Sequence, residues 1–126
     1  MIRWLEKRRF FSFVLFILIS IQIFYLSSLS SEQEVGGYNL FPLIYHFCAF
    51  FLFTIFLFIT ITGKKRIKIK HLFIILIISL IYAASDEFHQ LFVPNRNGSF
   101  SDFLIDSFGI LFSILIYNLS KRKAKR

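Results

Sequence analysis

Two of the four apolar runs in this chain are too short, and that shortfall constrains the fold more than any other feature. The run Leu72–Ala84 has thirteen residues. As a helix it rises roughly 20 Å, against a hydrocarbon core of roughly 30 Å. The run Phe103–Leu119 has seventeen residues and already contains Asp106. Between them lies Asp86 to Asp106, read as Asp-Glu-Phe-His-Gln-Leu-Phe-Val-Pro-Asn-Arg-Asn-Gly-Ser-Phe-Ser-Asp-Phe-Leu-Ile-Asp. Either helix can cross a membrane only by taking these polar residues with it. The third must carry Asp86, Glu87, His89 and Gln90 and end near Val93-Pro94. The fourth must take in Phe100 and Asp102.

The other two runs are long enough unaided. Phe10–Leu29 is interrupted only by serines and Gln22, and Leu43–Thr62 is bracketed by Pro42 and Gly63 with His46 near its start. Nineteen phenylalanines and 56% hydrophobic residues in 126 positions exceed what one water-soluble core can hide. The expected fold is therefore all-α, an integral membrane bundle of four transmembrane helices at about 10–30, 43–62, 72–93 and 100–119. The whole chain, 1–126, makes one domain. The first run also resembles a secretory signal. It is longer than the usual apolar region of one, and no small-x-small cleavage site follows, so a retained helix is expected. The single Cys48 lies in an apolar run and forms no internal disulfide.

Charge sets the orientation. Fourteen of the fifteen lysines and arginines fall in three blocks at residues 3–9, 64–70 and 121–126; the remaining one is Arg96. Four helices place all three blocks on one side, which the positive-inside rule makes the cytoplasm. Both termini are expected there, and the acidic stretch faces outward. The first loop, Ser30–Phe41, fits this arrangement with Glu32, Glu34, Gly36-Gly37 and no basic residue. The net charge of +8 does not point to nucleic acid, because each basic block abuts an apolar run and no globular reader domain is left.

Counting helical rise from the cytoplasmic ends puts Asp86, Asp106 and Gln22 roughly 20 Å up, and His46, His89 and Asp102 roughly 25–27 Å up. Polar groups from all four helices thus share one layer. On the third helix Ser79, Tyr82, Asp86, His89 and Gln90 share an arc, with Glu87 at its edge and Phe88 and Phe92 pointing away. On the fourth, Asp102, Asp106, Gly109 and Ser113 form a stripe, where Gly109 permits close helix packing. Ionisable groups at this depth face a protein interior or a wet cavity. Carboxylates with an imidazole support acid–base chemistry, and the same groups are ligands for a divalent cation. No spacing here is a recognised metal signature, so the sequence assigns no metal and leaves a divalent cation open. Arg96 suits an anion, because its planar fork matches phosphate or carboxylate oxygens. A plainer alternative has Arg96 and His89 neutralising the acids and tying the third helix to the fourth. Trp4 and Tyr117 read as interface anchors, and Tyr82 as packing.

Asp86-Glu87-Phe88-His89-Gln90, Phe92-Val93-Pro94-Asn95-Arg96, Ser99, Asp102 and Gly109 together resemble the signature of the VanZ-like family. The serines from Ser27 onward resemble the end of that family's first helix, and His46 falls where the family tends to carry a histidine. The resemblance covers nearly the whole chain. It implies a small multi-pass protein of the bacterial cytoplasmic membrane, in a family named for a member associated with resistance to teicoplanin. Its candidate working residues are Asp86, Glu87, Gln90, Arg96 and Asp102, with His46, His89, Ser99 and Asp106 as candidate binding residues. The family often has asparagine where this chain has Asp106, so an extra acid enters the site. Two functions follow as expectations. One is binding of a lipid-linked cell-wall precursor or other envelope molecule, contributing to glycopeptide resistance. The other is a membrane-embedded hydrolase or transferase acting on an anionic lipid headgroup, metal-assisted or not. A transporter fits less well, because the cytoplasmic halves of the helices are uniformly apolar.

Overall fold

A computed structural model describes residues 2–30, 40–96 and 98–123. They form five helices and no strand: α1 (Ile2–Lys7), α2 (Arg9–Ser27), α3 (Leu40–Thr62), α4 (Ile69–Gln90) and α5 (Phe100–Lys123). The four longer ones are each long and apolar enough to cross a membrane. Residues 31–39 of the acidic first loop and Asn97 lie outside the described residues.

The helix ends differ from the expected ones for local reasons. Helix α3 starts at Leu40 because Pro42 sits in its first turn, where a helix needs no backbone N–H from it. Helix α4 takes in Ile69 and Lys70, because the extended Lys68 caps it and donates its backbone N–H to His71 Nδ1 at 3.2 Å. It stops at Gln90, as its burden of acids requires. Helix α2 ends at Ser27, and Ser28 Oγ donates back to Phe24 O at 2.7 Å. Helix α1 was not expected. The backbone turns at Arg8 (φ −114°, ψ 63°), which lets Leu5 and Glu6 bury beside the longer helices.

Helix α3 is the centre of the bundle and touches all four others. Its Phe50, Phe53, Phe58 and Ile59 are buried with Ile23, Ile75 and Ile110. Lipid tails are as apolar as these side chains, so close packing rather than escape from water holds the helices together. Gly109 shows this directly. A Cβ there would stand 2.5 Å from Phe47 O and 3.2 Å from Phe51 N, so the backbones of α5 and α3 meet. Helices α2 and α4 are joined by Tyr82 Oη, which donates to Ser20 O at 2.6 Å while its ring stacks on Phe53.

One end of the bundle carries a cationic fastening. Arg9 donates through Nε to Thr60 O at 3.1 Å, and Lys121 Nζ donates to Gly63 O at 2.7 Å. Lys121 also pairs with Glu6 at 2.9 Å, and Glu6 accepts from Tyr117 Oη at 2.9 Å. Tyr117 is therefore a buried strut rather than an interface anchor. The described basic residues flanking these contacts, Arg8, Lys64, Lys65, Arg66 and Arg122, lie at this end with Arg9 and Lys121. Outward-facing Phe, Leu and Ile side chains cover α2, α4 and α5 along their lengths. Such a surface is stable only in lipid, and the chain is a multi-pass membrane protein.

Candidate functional site

At the opposite end, α2, α3, α4 and α5 surround a cavity of about 480 Å³. Its polar lining includes Tyr45, His46, Asp86, Gln90, Arg96 and Asp102, and its apolar lining includes Ile23, Leu26, Leu29 and Phe41. The helical stripes read from sequence bring these groups together. Helix α3 supplies His46 from its second turn. Helix α4 supplies Asp86 and Gln90 one turn apart, with Gln90 Nε2 donating to Asp86 Oδ2 at 3.1 Å. Helix α5 supplies Asp102 and, one turn deeper, Asp106.

The best-defined contact is between His46 and Asp106. His46 Nδ1 lies 3.0 Å from Asp106 Oδ1, with both residues buried. With Asp106 ionised the carboxylate only accepts, so Nδ1 would hold the proton and Nε2 would be left for the site. Glu87 is also buried. Its Oε2 accepts the backbone N–H of Ser99 at 2.8 Å, which ties the start of α5 to α4. Gly98 permits that approach, because a Cβ there would collide with Glu87 O.

Arg96 is placed by the turn before it. Its N–H donates to Val93 O at 3.2 Å, Pro94 takes the second position, and Asn95 takes the third with φ 59°. That is the type II pattern, in which a left-handed third residue is Gly or Asn. Among the described residues Arg96 forms no ion pair, and its Nε is buried without a hydrogen-bond partner. Tyr45 Oη, Glu87 Oε1 and Asp106 Oδ2 are likewise buried without one. Buried polar atoms are nearly always paired, so Arg96 Nε and Tyr45 Oη in the cavity lining, with Glu87 Oε1 and Asp106 Oδ2 close behind it, require a reason.

Three expectations change. His89 does not line the cavity: its Nε2 lies 3.0 Å from Ser28 Oγ and its ring stacks on Phe24, so it fastens α4 to the end of α2. Among the described residues neither His89 nor Arg96 makes a direct ion pair with the acids of this site. Ser99 precedes α5 and accepts the Ser101 N–H on its Oγ at 3.2 Å, an N-cap rather than a cavity group. Gln22 is exposed on the outside of the bundle and adds nothing to the polar layer. Tyr45 is the residue that sequence reasoning missed. Its signal was its position one residue before His46, where it makes an edge contact with the imidazole.

Glu87, His46 and Asp102 come from three different helices, and one ligand atom from each lies within 4.8 Å of the others. The arrangement can therefore receive an anion at Arg96, pass a proton at His46 Nε2, or gather carboxylate oxygens around a cation. No curated protein and no solved structure matches the chain. A family model described as VanZ/LLP1 matches residues 6–121, which takes in every helix that forms the cavity. The chain belongs to the VanZ-like family.

Proposed function

We propose that this protein binds the phosphate-bearing headgroup of a lipid-linked envelope molecule, from the outer face of the bacterial cytoplasmic membrane. Arg96 carries the reading: a guanidinium with no ion pair among the described residues lines a cavity that has both polar and apolar side chains. A lipid-linked phosphate has the same division, with an anion for Arg96 and a chain for Ile23, Leu26, Leu29 and Phe41. Gln90 and Tyr45 add donors beside the anion. The outward orientation rests on the basic blocks gathered at the other end.

Contribution to teicoplanin resistance belongs to the same reading, since a protein holding such a molecule alters what a glycopeptide meets outside the membrane. The test is binding of a long-chain lipid monophosphate by the protein in nanodiscs. Arg96→Ala should weaken it at least tenfold, consistent with about 1.5–3 kcal/mol for a hydrogen bond to a charged group. Unchanged affinity would reject the reading. In cells, Glu87→Gln, Arg96→Ala and Asp102→Asn should insert normally and abolish any gain in teicoplanin tolerance that the wild type confers.

The His46–Asp106 pair favours a second reading, a membrane-embedded hydrolase or transferase on an anionic headgroup. A carboxylate fixed behind an imidazole leaves Nε2 oriented as a general base. Turnover of the bound lipid, lost in His46→Gln with binding retained, distinguishes this from binding alone.

A further inference from the structure

We infer that His46, Glu87 and Asp102 form a binding site for one first-row divalent cation, zinc or manganese, with Asp106 as the residue that positions the imidazole. The three ligand atoms, one from each of α3, α4 and α5, lie within 4.8 Å of one another. Ligands around a tetrahedral ion at roughly 2.1 Å stand roughly 3.4 Å apart. Side-chain rotations of about 1 Å close that difference and leave the helices in place.

The free atoms are the ones a metal needs. His46 Nδ1 is taken by Asp106, so Nε2 is the free nitrogen. A histidine ligand that donates its other N–H to a carboxylate is the recurring support around bound metals. Glu87 Oε2 is taken by the Ser99 N–H, and Oε1, on a side chain more than nine-tenths buried, has no partner among the described residues. One nitrogen and two carboxylate oxygens suit zinc and manganese better than magnesium or a soft cation. Three protein ligands also leave a coordination position open.

Charge points the same way. Asp86, Glu87, Asp102 and Asp106 gather at this end of the bundle, and among the described residues Arg96 is the one arginine or lysine lining the cavity. Asp102 and Asp106 stand one turn apart on a single helix, where like charges repel. A divalent cation between Glu87 and Asp102 offsets two of these charges. The inference rests on the reading that this cavity is a binding site, and it assigns that site its inorganic component. Metal and lipid can nonetheless be measured separately.

The test uses the full chain in nanodiscs, stripped with a chelator and then titrated with zinc or manganese alone, with bound metal counted by elemental analysis. Wild type should retain about one ion per chain, of either metal. Asp106→Asn should weaken binding about 10–100-fold, as loss of a supporting carboxylate does, and Glu87→Gln or Asp102→Asn should weaken it more. Asp102 is only partly buried, so its amide variant serves if the others fail to fold. Glu6→Gln, at the far end, should bind metal as wild type does. No stoichiometric ion in wild type overturns the site, and so does equal binding by wild type and Asp102→Asn. Arg96→Ala should lose lipid and keep metal. Loss of lipid binding by wild type while metal is retained sinks the headgroup reading alone.

Discussion

Arg96 stands where it does because of the two residues before it. Proline presets the second position of the turn, and Asn95 accepts the left-handed conformation that most side chains resist. A β-branched residue in that conformation costs about 1–3 kcal/mol. Asn95→Val should therefore shift Arg96 and weaken lipid-phosphate binding about tenfold, with the four long helices intact by circular dichroism. Asn95→Gly should bind as wild type does. Equal binding by both variants would mean that the turn does not set the arginine. The sequence showed Arg96 as an isolated cation beside acids but could not show whether those acids claim it. Rotational position, which linear spacing gives only to within an arc, decided the matter. His89 fell on the cavity arc by counting, yet it turned to Ser28 and Phe24 on α2. Asp106 fell one turn below Asp102, and that single turn put it behind His46 instead of in the cavity wall.

Among the elements, helices α4 and α5 were the most legible, because their apolar runs cannot span a membrane without their acids. Length alone forced Asp86, Glu87 and Asp102 into helices. Partner choice was less legible. Uniformly apolar helices carry little in their pattern to say which faces meet, since packing in lipid depends on shape. Gly109 is the exception, as the one glycine of α5, and α3 meets α5 there. Gly109→Val should push α5 away from Phe47, costing about 1–3 kcal/mol as overpacking does. The pair of His46 and Asp106, on the same two helices, should loosen with it. The expected result is a lower thermal midpoint in detergent and weaker metal retention together. A variant as stable as wild type would show that the helices do not meet closely. Short α1 escaped sequence reading altogether. Its role depends on Glu6 reaching Lys121 and Tyr117, more than a hundred residues away, and no local pattern announces such a contact.

The whole molecule has two unlike ends. At one, cations are occupied: Arg9 donates to the end of α3 and Lys121 to Gly63 just beyond it, and Glu6 completes the fastening. At the other, Arg96 Nε and Tyr45 Oη in the cavity lining have no hydrogen-bond partner among the described residues. Between them the core is closed by Phe50, Phe53, Phe58, Ile75 and Ile110, all fully or almost fully buried, which argues against a path through a single chain. The cavity lies at one end of the bundle, and charge should decide which side of the membrane it faces. Lys64, Lys65 and Arg66 are exposed at the fastened end, whereas Ser101 is exposed beside the cavity. With Cys48 replaced by serine, Ser101→Cys should react with a membrane-impermeant maleimide on intact cells. Lys65→Cys should react only after the cells are permeabilised. The reverse pattern would turn the cavity to the cytoplasm, and the lipid-linked phosphate would then have to be taken from the inner leaflet, away from any glycopeptide.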